Sequence, residues 1–208
     1  MYTPQSFLVK DKQTLYNWID DIQFGKLITS RRGRIEITPM PFALDREKGE
    51  LLGHVARSNS HWQSAMMADD LVALFEGPHG YVSPTWYSQP DGVPTWNYVA
   101  VQVFGKAELI KTEAESLVVF QQLTETSESR YGNGWSIFDL DNEKMKQLLK
   151  AIVFFRIKIR DLEGKAKLSQ NRSKMDRVGV IQQLAATEDT QLQTLSKWMR
   201  DTLKDSPK

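Results

Sequence analysis

Residues Phe155-Arg-Ile-Lys-Ile-Arg160 alternate apolar and cationic side chains without a break. Successive side chains of an extended strand leave opposite faces. Phe155, Ile157 and Ile159 therefore share one face, and Arg156, Lys158 and Arg160 the other. Asn97–Gly105 repeats the signal, setting Val99, Val101 and Val103 against Ala100, Gln102 and Phe104. Lys26–Ser30 and Arg34–Thr38 read as strands joined by an Arg-Arg-Gly hairpin turn. Leu51–Ala56 and Asp70–Glu76 are further strands, and Tyr81–Ser83 begins another. Pro39 and Pro41 lack an amide hydrogen, which favours a sheet edge or a kink there.

Helical spacing appears between these strands. Leu15, Trp18, Ile19 and Ile22 fall at i, i+3, i+4 and i+7, with Asp11 where an N-cap belongs. Ser58 or Ser60 is placed to cap a helix starting near His61-Trp62. Thr112-Glu-Ala-Glu115 is a capping-box pattern for a helix to about Glu125, and the polar run Ser127–Gly134 reads as a loop. Met145, Leu148, Leu149 and Ile152 mark another helix. Ser173 and Asp176 can cap a helix through Leu184. A last helix after Thr187 carries Leu192, Leu195, Trp198 and Met199 on one face. Closely spaced strands with irregularly inserted helices predict a mainly β, α+β chain: a small barrel with peripheral helices rather than alternating βα units. No repeat or long linker divides the chain. It reads as a single domain over 1–208, with 173–204 as a C-terminal helical extension.

Charge narrows the partners. The 27 Lys and Arg nearly balance 26 Asp and Glu, so the global charge points to neither nucleic acid nor membrane. Cysteine is absent, which excludes disulfides, thiolate catalysis and Cys-zinc sites. The first residues lack a secretory signal pattern, and apolar runs such as Ala151–Phe155 are too short to span a bilayer. A cytoplasmic location is expected. His54, His61 and His79 lack paired metal-ligand spacing, so no metal is expected. No phosphate-binding Gly-rich lysine loop, nucleophile elbow or dinucleotide fingerprint occurs, and no catalytic acid/base pair is recognisable.

Three segments carry chemistry beyond a core. At Gly53–Ser60, Arg57, Ser58 and Asn59 end a strand where a helix begins. They suit a phosphate, and they equally suit ordinary capping beside a solvated arginine. The stretch Phe75–Tyr87 with Val93–Tyr98 concentrates Gly, Pro, His, hydroxyls and aromatics. Trp86, Tyr87, Trp96 and Tyr98 can line a ring-binding cleft or an oligomer interface, or simply a core around a Gly77-Pro78 turn. Lys165–Arg172 offers cations and amides to a phosphate or heterocycle edge, or is a solvated loop after an edge strand.

Four blocks together resemble the PaiB-type family of FMN-binding negative transcriptional regulators. They are Met1-Tyr-Thr-Pro-Gln-Ser-Phe7; Leu52–Asn59 with Trp62; Phe75–Tyr87 running on to Val93–Tyr98; and Lys165–Arg172 followed by Asp176–Ile181. They stand in the family's order along nearly the whole chain. The resemblance implies an FMN-binding split β-barrel, related to pyridoxamine-phosphate-oxidase-like flavoproteins, that forms a homodimer with FMN noncovalently at the subunit interface. It implies a repressor-type regulator whose partner is DNA or a regulatory protein. A flavin-dependent oxidoreductase on the same fold is the alternative. Carried onto this chain, the resemblance makes Arg57, Ser58 and Asn59 the phosphate residues. Trp96 and Asn97 fall to the flavin ring or its edge, with Ser83 and Thr95 as hydroxyl contacts. Lys167, Ser169 and Gln170 close the site, from the same or the other subunit.

Overall fold

A computed structural model describes residues 1–31, 33–89 and 92–204. Arg32 of the expected hairpin turn lies outside the described residues. The strands are β1 (Leu8–Val9), β2 (Phe24–Arg31), β3 (Arg34–Pro41), β4 (Ala43–Asp45), β5 (Glu50–Ala56), β6 (Leu71–Val82), β7 (Thr95–Leu109) and β8 (Ile152–Lys167). They form one sheet in the order β3-β2-β6-β7-β8-β5-β4, with β1 on β8. β3 therefore takes the edge that Pro39 and Pro41 predict. The chain divides into two compact units, one of Met1–Asp11, Glu76–Val101 and Glu163–Lys208, the other of Lys12–Phe75 and Gln102–Leu162. β6, β7 and β8 give residues to both.

In the Lys12–Phe75 and Gln102–Leu162 unit, α1 (Lys12–Ile22) buries Leu15 and Ile19 of its predicted stripe and half-buries Trp18 and Ile22, while Tyr16, outside the stripe, is also buried. β8 alternates as expected: Phe155 and Ile157 are fully buried. Its cationic face does not stand free. Arg156 meets Glu50 at 3.7 Å and also pairs with Glu115, Lys158 meets Glu108 at 2.9 Å, and Arg160 pairs with Asp70. β7 and β8 approach so closely at Gly105 that a Cβ there would stand 2.2 Å from the Lys158 carbonyl oxygen.

Thr112 caps α3 (Glu113–Tyr131) by accepting from the Glu115 amide at 3.3 Å, but this helix outruns its expected end. The run predicted as a loop is helical through Tyr131, and the hydroxyls there are satisfied within the helix by bonding back to the preceding turn. Thr126 donates to the Gln122 carbonyl at 2.7 Å and Ser127 to that of Leu123 at 3.3 Å. Val119 and Leu123 join Ala43, Leu52, Ile110 and Phe154 in one apolar cluster. Asp141 caps α4 (Asn142–Ala151), accepting from Lys144 at 2.8 Å.

In the other unit, β1 pairs antiparallel with β8, Leu8 opposite Lys165 and Val9 opposite Gly164. β6 runs without interruption through Gly77-Pro78-His79-Gly80, where a turn was one reading of the sequence. The glycines serve close approach instead: a Cβ at Gly80 would lie 2.4 Å from Leu192 and 3.1 Å from Leu195. Ser173 caps α5 (Lys174–Ala185) by accepting from the Asp176 amide at 3.1 Å. The last helix, α6 (Thr190–Lys204), begins three residues after Thr187. Leu184, Leu195 and Met199 on these helices are fully buried. α5 presses on the short 3-10 turn Pro84–Trp86, so a Cβ at Gly179 would sit 2.3 Å from the Trp86 carbonyl oxygen. The amide and hydroxyl of Ser88 both donate to the Asp176 carboxylate, at 2.8 and 2.7 Å.

Candidate functional site

Thr95 and Asn97 on β7, Lys167 at the end of β8 and Ser169 in the turn beyond line one cavity of about 150 Å³. Tyr87, Val93, Asn171 and Arg172 complete its wall. Asn97 is 1% exposed. Its amide nitrogen donates to Ser169 Oγ at 2.9 Å and lies 3.4 Å from the Met199 sulfur, while its Oδ1 has no partner. A buried amide oxygen without a donor costs about 1–3 kcal/mol, so such atoms are uncommon unless something else supplies the donor.

The same corner holds backbone strain. Ser169 lies at φ 64°, a left-handed conformation that a side chain disfavours. The turn that keeps it there is closed by the Arg172 amide, donating to the Ser169 carbonyl at 3.0 Å. Lys167 donates to Thr95 Oγ1 and to the Trp96 carbonyl. Burial, and secondarily the neighbouring Lys165, pushes its ammonium pKa below the ordinary lysine value. The Arg172 guanidinium stacks over the Tyr87 ring, 4.5 Å from its centre. The cavity wall thus carries two cationic donors and an aromatic ring beside a buried amide oxygen without a partner, a set that suits the polar edge of a flat heterocycle.

The remaining sequence candidates of this unit stand around the cavity rather than in it. Gln170 spends its amide locally, accepting from Leu168 N and donating to the Ala166 carbonyl, both at 2.7 Å, and so braces the turn. Ser83 caps the 3-10 turn and bonds Thr85 Oγ1 at 2.8 Å. Trp96 is 55% exposed, with His79 and Tyr81 at ring distances of 6.4 and 6.1 Å. Tyr87 was legible as a cleft aromatic. The pairing of Arg172 with it was not, since the two lie 85 positions apart.

Arg57, Ser58 and Asn59 lie in the other unit and do not act as one group. Arg57 lines a cavity of about 420 Å³ together with Trp62, Leu109, Ile110, Lys111, Glu113, Ser116, Lys146, Leu149, Lys150, Ile152, Val153 and Phe154. Its guanidinium donates to the Lys150 and Ile152 carbonyls, both at 2.7 Å. Ser58 is exposed and is not among the lining residues. Asn59 accepts from the His61 amide at 3.0 Å and donates to Thr38 Oγ1 at 3.4 Å. Ser60 occupies the N-cap position of α2 (His61–Met67) without a side-chain bond, so the Asn59 carboxamide does the work expected of a serine. The buried His61 ring bridges Thr29 at 2.8 Å and Thr38 at 2.7 Å. Lys111, Lys146 and Lys150 escaped the sequence reading. The i, i+4 spacing of the last two on a predicted helix was the one available signal.

Among the described residues, no group of three or more His, Cys, Asp or Glu is placed to hold a metal ion, and no helix is long and apolar enough to cross a membrane.

The sheet order and inserted helices define a split-barrel α+β fold of the flavoprotein type. The FAD and heme binding protein from Mycobacterium smegmatis matches it with a TM-score of 0.62 at 14% identity, over 82% of this chain and 78% of that one. Flavocytochrome Anf3 from Azotobacter vinelandii matches with a TM-score of 0.60 at 15% identity, over 83% and 75%. Identity that low speaks for the fold alone. The family is set by sequence. The family model described as "Putative FMN-binding domain" matches residues 1–161. Over 208 residues the chain is 33% identical to the protease synthase and sporulation protein PAI 2 of Bacillus subtilis, covering 98% of this chain and 99% of that protein. The chain belongs to this PaiB-type FMN-binding domain family.

Proposed function

We propose that the protein is a cytoplasmic, homodimeric FMN-binding regulator that acts as a transcriptional repressor through DNA or a regulatory protein. The observation that carries the FMN reading is the buried, unpartnered Asn97 Oδ1 in a cavity also lined by Lys167 and Arg172. A flavin's pyrimidine edge carries an N–H between two carbonyl groups. Asn97 suits the N–H, and the two cations suit the carbonyls. A cavity of about 150 Å³ falls below the roughly 300–1,000 Å³ of a pocket that encloses a whole small molecule. It therefore takes the edge of the ring. In this reading the exposed Trp96 and a second subunit cover the rest.

In this reading Thr95, Trp96, Asn97, Lys167 and Ser169 serve the ring, with Ser83 and Gln170 bracing the segments beside them. Arg57, Ser58 and Asn59 lie in the other unit, and the family resemblance alone assigns them to a phosphate. Residues 1–208 act as one FMN-binding domain with 173–204 as its helical extension. The regulatory role rests on the likeness to a relative named for protease synthesis and sporulation.

Lys167 favours a second reading, a flavin-dependent oxidoreductase, because a partly desolvated cation at the ring edge stabilises negative charge on a reduced flavin. Bound FMN would itself supply the redox chemistry. One preparation separates the two readings. Salt-sensitive binding to specific DNA with no turnover supports the regulator. Reduction by a nicotinamide cofactor with turnover on an electron acceptor supports the enzyme.

A further inference from the structure

A cavity of about 450 Å³ lies wholly within the Lys12–Phe75 and Gln102–Leu162 unit, lined by α3 and the segment that follows it. Gln121, Glu125 and Glu128 stand at i, i+4 and i+7 on α3 and share one wall. Beyond the helix, Gly134 takes φ 88°, a left-handed backbone that glycine adopts freely, and Trp135 and Ser136 join the lining. That segment is held in place. The Ser136 amide donates to the Asp139 carboxylate at 2.8 Å, and Ile137, also in the lining, is 1% exposed.

The charge of this cavity is one-sided. Among the described residues, two carboxylates line it and no Lys, Arg or His does. Glu125 accepts from the Gln121 amide nitrogen at 2.7 Å, and neither glutamate has an ion pair among the described residues. Arg130, the basic residue of the last turn, pairs with Asp21 at 2.9 Å instead. A helix ends in unpaired carbonyls and a partial negative charge, so Glu128 in the last turn opposes the helix, and Glu125 adds a like charge one turn back. Trp135 stands 44% exposed beside these unneutralised carboxylates.

Helix stability asks for none of this, whereas an organic cation does. The face of an indole attracts a positive head and packs on its stem, and carboxylates accept its N–H bonds. The volume falls within the range of small-molecule sites. A bare metal ion fits less well, since no three His, Cys, Asp or Glu converge among the described residues.

We propose that this cavity binds an organic cation, a guanidinium or alkylammonium head taken by Glu125 and Glu128 with its apolar stem or ring on Trp135. The site is separate from the FMN reading, and neither depends on the other.

The test titrates the whole chain with benzylamine and with benzyl alcohol, a neutral molecule of nearly the same shape. The Trp135 indole N–H resonance reports binding and is assigned by its loss in Trp135→Phe. Wild type should bind benzylamine at least about tenfold tighter than benzyl alcohol, the scale of one charge-assisted hydrogen bond. Glu125→Gln/Glu128→Gln should abolish that preference and melt no lower than wild type, because it relieves like charges near a helix C-terminus. Equal binding of the two probes by wild type, or no Trp135 shift at millimolar benzylamine, overturns the proposal without recourse to any variant. A preference that survives the double substitution also overturns it. Capped arginine, N-acetylarginine amide, then separates the sources of the cation. Tighter binding than benzylamine assigns the basic side chain of a protein, weaker binding a free amine, and either supports the site.

Discussion

Asn97 donates its amide to Ser169 Oγ over 2.9 Å, and Ser169 makes that contact from a left-handed backbone at φ 64°. One residue leaves a buried acceptor unused and the other holds a disfavoured conformation. Strain and an unmet polar atom in the same few ångströms mark a place shaped for something other than the chain's own stability.

Replacing Asn97 with Leu separates those two demands. It removes the orphaned oxygen but also the bond to the buried Ser169 hydroxyl, two opposing effects of similar size, so the unliganded protein should change by no more than about 1 kcal/mol in urea unfolding. FMN affinity should fall at least about tenfold. Destabilisation together with undiminished FMN binding would show that Oδ1 serves the fold.

Ser169 is tested by two substitutions that both delete the hydroxyl. Ser169→Gly relieves the left-handed backbone, whereas Ser169→Ala keeps it. The Gly variant should be more stable than the Ala variant by about 1 kcal/mol. Equal unfolding midpoints would mean that the turn relaxes at no cost.

Acid stability should depend on two histidines, the half-buried His54 and the buried His61. Desolvation pushes the pKa of His54 below its ordinary value, and that of His61 likewise, with Glu36 opposing in the second case. A depressed folded-state pKa means that the unfolded chain takes up the proton first. The stability these rings contribute is complete above about pH 6.5 and is lost as pH falls below it. His54 packs on Phe120 and Phe154 at ring distances of 6.4 and 5.7 Å, and its buried Nδ1 has no partner. His54→Phe should therefore fold well and flatten part of the decline in urea midpoint between pH 7.5 and 5. An identical slope in wild type and variant would exclude His54 from the effect.

What the sequence disclosed followed the range of the interactions involved. Alternation along Phe155–Arg160 exposed β8, because period two is written in adjacent residues. The caps at Thr112 and Ser173 were legible for the same reason. The C-terminal half of α3 was not, since Thr126 and Ser127 look like loop residues until their hydroxyls are seen bonded to the preceding turn. Gly77 and Gly80 resemble a turn until α6 is found lying against the strand. At the site, motif resemblance singled out Asn97, Lys167 and Ser169, but nothing local revealed that Asn97 would keep an oxygen unpaired. The Arg57 basin draws lysines from two separated segments, a convergence only the fold creates.

The central claim is most directly met by titrating the purified protein with FMN and following flavin absorbance and fluorescence. Saturable binding at one FMN per chain, on the order of micromolar affinity, is the expected result, weakened in Asn97→Leu. No saturable binding by folded wild-type protein at about 100 μM FMN would contradict it.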